Sequence, residues 1–166
     1  EILREKGFGW FSYSDILKEE ARKRGIEPTR VNLQDLGDEL RLNNGTGVLS
    51  KIMIEKMEHG ENYAVGNIRN PGEVEEFLNL DTNFILIKVD APVELRFERA
   101  KSRGRKDDAL NFEEFKRNEE RELGIGQGEH GQRHADVFKM ADFVVVNDGD
   151  MEDLKKKVES ILERII

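Results

Sequence analysis

The chain has 166 residues, of which 37% are hydrophobic and 37% are charged, and its formal net charge is −8. This length fits one domain with a substantial core, no apolar run approaches the roughly 20 residues that cross a bilayer, and the acidic balance argues against a general nucleic-acid binder. The absence of cysteine excludes disulfides, thiolate catalysis and zinc–thiolate sites, so we expect a cytoplasmic protein with neither a membrane nor a nucleic-acid partner.

Four short runs rich in β-forming residues predict strands, at 8–12, 62–65, 84–89 and 143–146. The last two runs are almost continuously apolar, which is typical of parallel strands that are covered on both faces. Helical patterns separate the four runs. Strands that alternate with helices indicate βαβ units, so we expect an α/β fold with a mainly parallel sheet.

Capping residues mark where the intervening helices begin. Residues of this kind precede or open four helical patterns: Ser14 or Asp15, Thr29, Pro92 and Asn111. Gly25 can stop the first of these helices, and another helix is predicted at 48–57. From Met151 onward, apolar residues recur at steps of three and four, and this stripe predicts a final helix that packs on the core.

Three residues near predicted strand ends or helix starts are candidates for chemistry. Asp15 follows the first strand and could accept a hydroxyl proton or help to hold a metal-bound phosphate, or it could be an ordinary first-turn residue. Arg41 could clamp a substrate anion or belong to a solvated helix face. Arg69 follows a short apolar strand and precedes an Asn-Pro-Gly turn, where a guanidinium is well placed to meet a phosphate or a carboxylate.

Two further segments carry charge or turn chemistry. The basic stretch at 96–106, together with Arg117 and Arg121, could form a mobile cationic flap over a polyphosphate, or a salt-bridged pair of surface helices. The segment at 147–149 could line a base pocket, or it could be simple Asp-Gly turn chemistry. The three histidines have no metal-ligand spacing, and we expect them on the surface or in loops: His59, His130 and His134.

Taken in order, these segments resemble the phosphate-binding-loop (P-loop) nucleoside monophosphate kinases, and most closely the dephospho-CoA kinase-like proteins and their archaeal relatives. The matching segments are SDILK at 14–18, DELR at 38–41, GNIRNPGEV at 66–74, VDAPVELRFER at 89–99, EERE at 119–122 and ADFVVVNDG at 141–149. Each motif alone is moderately specific, and their shared order over nearly the whole chain carries the resemblance.

The resemblance implies a three-layer α/β sandwich with a mainly parallel sheet. It implies a single kinase-like domain over 1–166, with acceptor-binding helices at about 29–59 and a short helical lid at about 103–128. It also implies ATP- and Mg²⁺-dependent transfer of phosphate to a nucleotide-type acceptor, either a nucleoside monophosphate or dephospho-CoA.

The resemblance also implies roles for individual residues. Asp15 would position or deprotonate the acceptor, and Arg41 and Arg69 would hold its anionic groups. Arg121 would close over the transferring phosphoryl group. The remaining implied residues are the phosphate-binding arginines of the lid region, Arg99, Arg103, Arg105 and Arg117, and the residues that border the base, Asn147, Asp148 and Gly149. No residue is predicted to be a direct metal ligand.

The sequence departs from this family in two places. Gly66 stands where the archaeal relatives carry the Asp of a DGIR motif, and Asn67 stands in the following Gly position. This change removes a carboxylate expected to help organise magnesium or its waters. In addition, EILREKG at 1–7 resembles only the end of the helix that follows the phosphate loop, and no G-x-x-x-x-G-K-[ST] occurs in the sequence.

Three explanations are open for the missing first strand and phosphate loop. The sequence could be cut at its N-terminus, another chain could supply the missing part, or the chain could be a non-enzymatic remnant. We favour the first, because nothing else in the chain looks degenerate. The alternative function is a non-catalytic, nucleotide-responsive or assembly module that retains the kinase chassis, and a different nucleotide-handling α/β enzyme is a more distant possibility.

Overall fold

A computed structural model describes residues 2–80, 82–104 and 111–165. In these ranges the chain forms four strands: β1 (Gly9–Ser12), β2 (Tyr63–Gly66), β3 (Ile87–Asp90) and β4 (Phe143–Val146). The helices in the same ranges are α1 (Ile2–Glu5), α2 (Tyr13–Lys23), α3 (Arg30–Asn44), α4 (Val48–Ile54), α5 (Pro71–Leu78), α6 (Val93–Arg103), α7 (Phe112–Leu123), α8 (His134–Lys139) and α9 (Met151–Ile165).

The strands form two parallel pairs, which confirms the predicted α/β class. In β1–β2 the register runs from Gly9 opposite Tyr63 to Ser12 opposite Gly66. In β3–β4 it ends with Asp90 opposite Val146. Among the described residues the two pairs are separate two-stranded sheets. Because parallel strands point the same way, the residues that follow β1 and β2 lie at the same end of their pair, where the strands have their carboxyl ends.

The β3–β4 pair is not covered on both faces, so that prediction is wrong. Val145 is buried, but Val89 is 52% exposed and Val144 is 59% exposed. The helix α9 packs against β4 and covers one face. Val144 and Val146 alternate with Val145 along β4, so they point to the opposite face, and both are exposed there.

Strand β3 begins at Ile87, later than the predicted start at residue 84. The backbone N–H of Leu86 donates to a carboxylate oxygen of Asp142 at 2.8 Å, so a side chain replaces a ladder hydrogen bond at that point. Phe84 instead stacks on Phe77, with ring centroids 5.1 Å apart. This part of the predicted strand therefore serves as packing against the helices.

The predicted caps at Thr29 and Asn111 are confirmed, since each side chain accepts a hydrogen bond from a backbone N–H in the first helical turn. The N-cap of α2 is Ser12 rather than the predicted Ser14 or Asp15, and the helix begins at Tyr13. Pro92 lies at the N-cap of α6 rather than inside its first turn. Helix α4 ends at Ile54, before the predicted residue 57.

The main hydrophobic core lies between α2, α3, α4 and α5, beside the β1–β2 pair. Its buried members are Tyr13, Ile16, Ala21, Leu36, Leu40, Leu49, Met53 and Phe77. The stripe of α9 is buried only toward its C-terminal half, at Ile161 and Leu162, while Met151 is exposed. The well-packed half of the molecule is therefore the half that holds Asp15, Arg41 and Arg69.

Over the described ranges, every helix is too short or too polar to traverse a lipid bilayer.

Candidate functional site

Asn67 ties together the carboxyl ends of β1 and β2. It is the one non-glycine residue with a positive φ, 68°, among the described residues, and asparagine tolerates this left-handed conformation better than most residues. Its side-chain amide donates to Ser12 Oγ at 2.9 Å and points toward Ser14 Oγ at 3.5 Å. This bridge holds the segments that carry Asp15 and Arg69 side by side.

The indole of Trp10, on the neighbouring strand, packs over Gly66 and occupies the space of a side chain at that position. A Cβ atom at position 66 would lie 2.4 Å from the far edge of the Trp10 ring. A carboxylate at this position therefore requires the half-exposed indole to move. The departure from the DGIR motif is linked in this way to a second residue that the sequence comparison did not single out.

Asp15 is an accessible carboxylate near the carboxyl end of β1. It lies in the first turn of α2, is exposed, and pairs with Lys18 at 3.2 Å. A proton acceptor must be reachable by the group it deprotonates, and this carboxylate is. Its role as the base stays a prediction.

Arg41 is not the open cation that the sequence suggested. Its side chain is only 2% exposed, and its Nε and Nη2 atoms donate to one carboxylate oxygen of Glu73 at 3.0 and 2.8 Å. The other oxygen of Glu73 accepts from the backbone N–H groups of Arg69 and Asn70 at 2.7 and 3.1 Å. Because Glu73 is fully buried, Arg41 stabilises the start of α5 in this conformation and presents no face to a substrate.

Arg69, in contrast, is partly exposed and lies in a cluster of charges drawn from distant segments. Its Nη1 atom is 3.0 Å from Glu122 Oε2 and donates to Gln132 Oε1 at 3.2 Å. The guanidinium of Arg30, at the start of α3, contacts the other carboxylate oxygen of Glu122. Sequence reasoning singled out neither Arg30 nor Glu122, although Glu122 ends the matching segment EERE at 119–122.

The cluster shifts the protonation of two groups. Burial raises the pKa of Glu122, but the positive charges of Arg69 and Arg30 outweigh it, so the pKa of this carboxyl ends below its usual value. Burial, and then the charge of Arg69, lower the pKa of His134 to about 4. Glu122 is therefore ionised and His134 is neutral near pH 7.

His134 corrects the prediction that the histidines occupy surface or loop positions. It is the first residue of α8, and it packs beside Phe138 with ring centroids 5.4 Å apart. His59 and His130 do lie in loops, as predicted. Within the described ranges there is no group of three or more His, Asp or Glu side chains that could hold a metal ion.

Arg121 lies on α7, directly before Glu122, and is paired with acidic residues of α3. Its Nη2 atom is 2.6 Å from Asp35 Oδ1 and 3.6 Å from Asp38 Oδ2. The structure therefore brings Arg121 to the same side of the molecule as Arg69, although its guanidinium points at α3. Its predicted contact with a transferring phosphoryl group stays a prediction.

The arginines predicted for the lid are dispersed. Arg99 of α6 donates to the backbone carbonyls of Asn147 and Gly149 at 2.7 and 2.9 Å, so it holds the predicted base-binding turn. Arg103 at the end of α6 and Arg117 on α7 are exposed. Arg105 lies outside the described residues, as does the segment at 105–110 of the predicted lid.

The predicted base-binding turn is braced by side chains on both sides. Asp148 pairs with Lys157 of α9 at 3.0 Å, and this pair lowers the pKa of the Asp148 carboxyl. Together with the two bonds from Arg99, it fixes the turn between β4 and α9. Backbone groups of a turn held in this way can line a pocket for a planar ligand.

The chain is similar over its full length to proteins of several archaea. It is 38% identical over 168 residues to a UPF0200 protein of Sulfurisphaera tokodaii, and the match covers 100% of the chain and 88% of that protein. A UPF0200 protein of Thermococcus gammatolerans is 34% identical, with 100% and 87% covered. A UPF0200/UPF0201 protein of Archaeoglobus fulgidus is 37% identical, with 99% of the chain but 50% of that protein covered. No family model matches the chain.

Proposed function

The chain belongs to the UPF0200 family of archaeal proteins, and for it we propose an ATP-dependent phosphotransferase activity. The acceptor is a small nucleotide-type molecule, either a nucleoside monophosphate or dephospho-CoA. The observation that carries the proposal is the convergence of Arg30 and Arg69 on one anionic group at the carboxyl end of a parallel strand. Ligands of open parallel sheets bind at such ends.

The proposed fold joins the two strand pairs into one parallel sheet of a three-layer, P-loop-like sandwich. In the described part of the chain, β2 and β3 each have one edge without a neighbouring strand. A strand between them would pair the unsatisfied backbone groups of both edges. In the kinases that the sequence resembles, this central strand leads into the phosphate loop.

The residues of this chain account for the acceptor side of the reaction. Arg69 binds an anionic group of the acceptor, since a guanidinium matches phosphate in charge and geometry. Asp15 orients the acceptor and takes the proton of a hydroxyl nucleophile, as the ribose hydroxyl of dephospho-CoA would require. Positioning and electrostatic stabilisation supply most of the rate in phosphoryl transfer.

ATP and Mg²⁺ enter the proposal only through the resemblance. The 166 residues contain no G-x-x-x-x-G-K-[ST] loop, and the described ranges contain no acidic cluster of metal-binding size. The described residues therefore do not supply the phosphate loop of an ATP site. We assign no reaction step to the described residues at that site, and the proposal concerns the intact protein.

An acceptor screen on the intact protein tests the proposal. With ATP and Mg²⁺, we expect acceptor-dependent ADP formation and a phosphorylated product, detected by mass spectrometry, for one compound among dephospho-CoA and the common nucleotides. Asp15→Asn should lower kcat by about 100-fold or more if the acceptor is a hydroxyl. Asp153→Asn is the matched control, since Asp153 is also a first-turn carboxylate paired with a lysine. The absence of any phosphorylated acceptor would contradict the proposal.

One observation favours a second candidate, a non-catalytic nucleotide-responsive or assembly module. Gly66 lacks the carboxylate of the related motif, and Trp10 lies where that side chain would begin. The same screen separates the two candidates. A module of this kind binds a nucleotide, as calorimetry would show, without phosphorylating any acceptor.

A further inference from the structure

Glu122 is held between two guanidiniums that come from separate parts of the chain. Arg30 opens α3, Arg69 follows β2, and Glu122 lies in the last turn of α7. Each arginine contacts a different oxygen of the carboxylate. One internal anion therefore occupies the place where two cations meet.

This arrangement differs from an ordinary surface ion pair in its burial and in its charge. The Glu122 side chain is 17% exposed, while those of Arg30 and Arg69 are 30% and 24% exposed. Two positive charges face one negative charge, so these three side chains carry a net charge of +1. A phosphate group offers more charge and more acceptor oxygens than a carboxylate, and two guanidiniums bind it correspondingly better.

We propose that Glu122 is an internal competitor for the anionic group of the acceptor. An incoming phosphate takes the guanidiniums of Arg30 and Arg69, and Glu122 leaves together with the last turn of α7. This inference rests on the proposed function in one respect, namely that the acceptor binds at Arg69.

The other contacts of α7 confine the movement to its C-terminal turn. Nearer its N-terminus, Phe115 is buried against Phe97, with ring centroids 5.5 Å apart. Glu119 receives two hydrogen bonds of 2.7 Å from Arg96 of α6. These contacts do not involve Arg30 or Arg69, so displacement of Glu122 leaves them in place.

The displacement also affects Arg121, the neighbour of Glu122. In this structure Arg121 is bound to Asp35, and the Arg121 side chain is 30% exposed. If the last turn of α7 leaves α3, this pair breaks as well. Binding of the acceptor would then free the arginine predicted to act on the transferring phosphoryl group, which couples occupancy of the acceptor site to completion of the active site.

Hydrogen exchange on the intact wild-type protein tests the displacement, with inorganic phosphate as the probe. At constant ionic strength, phosphate should bind, as followed by ³¹P NMR, and should speed exchange in the peptide covering 119–125 severalfold. Peptides covering the first turns of α7 should not change. The proposal is overturned if phosphate does not bind, or if it binds and leaves the exchange of 119–125 unchanged or slower.

A pair of variants makes the test specific. Glu122→Gln removes the competing charge, so phosphate should bind about tenfold more tightly, the equivalent of one charge-assisted hydrogen bond. The exchange of 119–125 should already be raised without phosphate. Glu120→Gln, an exposed neighbour on the same helix, should match the wild type in both respects. Equal tightening by Glu120→Gln would show a general charge effect and overturn the proposal.

The outcome is separable from that of the proposed function. Neither phosphate binding nor hydrogen exchange requires ATP or turnover. A protein that phosphorylates no acceptor but shows displacement by phosphate would retain this inference and lose the kinase assignment. A protein that phosphorylates an acceptor without displacement of Glu122 would retain the kinase assignment and lose this inference.

Discussion

Two arginine–glutamate contacts lie on either side of the start of α5. They join the same chemical groups, but they differ in burial and in access to solvent. In the first, Arg41 is joined to Glu73, and both side chains are almost completely buried. In the second, Arg69 is joined to Glu122 in a cluster that solvent can reach. The first is part of the core, and the second is a candidate binding site.

The Arg41–Glu73 contact is embedded in a network in which each carboxylate oxygen of Glu73 has two donors. The Glu73 carbonyl accepts from Ser50 Oγ at 2.7 Å, and that hydroxyl is 2.6 Å from the Tyr13 hydroxyl. Burial raises the pKa of Tyr13 well above its ordinary value. A fully satisfied buried network of this kind fixes one local structure and cannot rearrange cheaply.

The Glu122 cluster is organised in the opposite way. Its two arginines come from segments far apart in the sequence, and water can solvate each of them if the carboxylate leaves. Charge and residue type alone therefore do not identify a binding arginine. Exposure, and the ease with which the internal partner can be replaced, separate Arg69 from Arg41.

The buried Arg41–Glu73 contact should be the most sensitive to substitution. Glu73→Gln removes the fully buried counter-charge of Arg41 and leaves the guanidinium with Asp38 alone, at 3.3 Å, so we expect a loss of about 3–5 kcal/mol in the free energy of unfolding. Urea titration of the variant and the wild type measures it. Glu75→Gln, on the exposed side of the same helix, should change stability by less than about 0.5 kcal/mol. A loss below about 1 kcal/mol for Glu73→Gln would remove the distinction between the two contacts.

The second effect is a pH dependence that belongs to the Glu122 cluster. His134 has a pKa of about 4 in the folded protein, against about 6.5 in the unfolded chain. Below pH 6.5 the unfolded state therefore binds more protons, so stability falls as the pH drops toward 4 and the fall stops below that pH. The shift corresponds to at most about 3 kcal/mol.

Unfolding measured between pH 7 and 4 checks this pH dependence. His134→Gln removes the titrating ring, so its stability curve should be flatter than that of the wild type over this range. Carboxylates such as Glu122 titrate in both proteins and cancel in the difference. Parallel curves for the two proteins would mean that His134 is solvated rather than packed beside Phe138 within reach of the charge of Arg69.

The smallest effect is on stability at Glu122 itself. Glu122→Gln should lower the free energy of unfolding by about 1 kcal/mol, because water can reach both arginines once the charge is gone. The same urea titrations give this value. A loss as large as that of Glu73→Gln would show that the cluster is structural and not a replaceable anion site.

The sequence predicted the local features of the fold well. Apolar runs located the four strands of the described ranges, and the side chains of Thr29 and Asn111 marked the starts of α3 and α7, because these signals depend on neighbouring residues only. The coverage of the β3–β4 pair was mispredicted. Apolar composition records what a strand prefers, whereas exposure depends on which other elements pack on it.

The site was predicted in part. Arg69 and Asp15 were found from their position after strands, and both lie at the carboxyl end of the β1–β2 pair. The contact between Arg30 and Glu122 spans 92 positions of the sequence, and no local pattern encodes it. The sequence does contain a pattern that indicates the burial of Arg41. Arg41 lies four residues after Gly37 and directly after Leu40, and these residues share the buried face of α3.

Whether Arg69 binds the acceptor is tested by the KM for the acceptor in phosphate transfer by the intact protein with Arg69→Lys. Lysine keeps the charge but loses the planar fork of donors, so we predict transfer by the wild type and a KM at least about tenfold higher in the variant. Arg22→Lys, an exposed change on α2, should leave the KM unaltered. An unchanged KM in Arg69→Lys, or no transfer by the wild type to any acceptor, would contradict the claim.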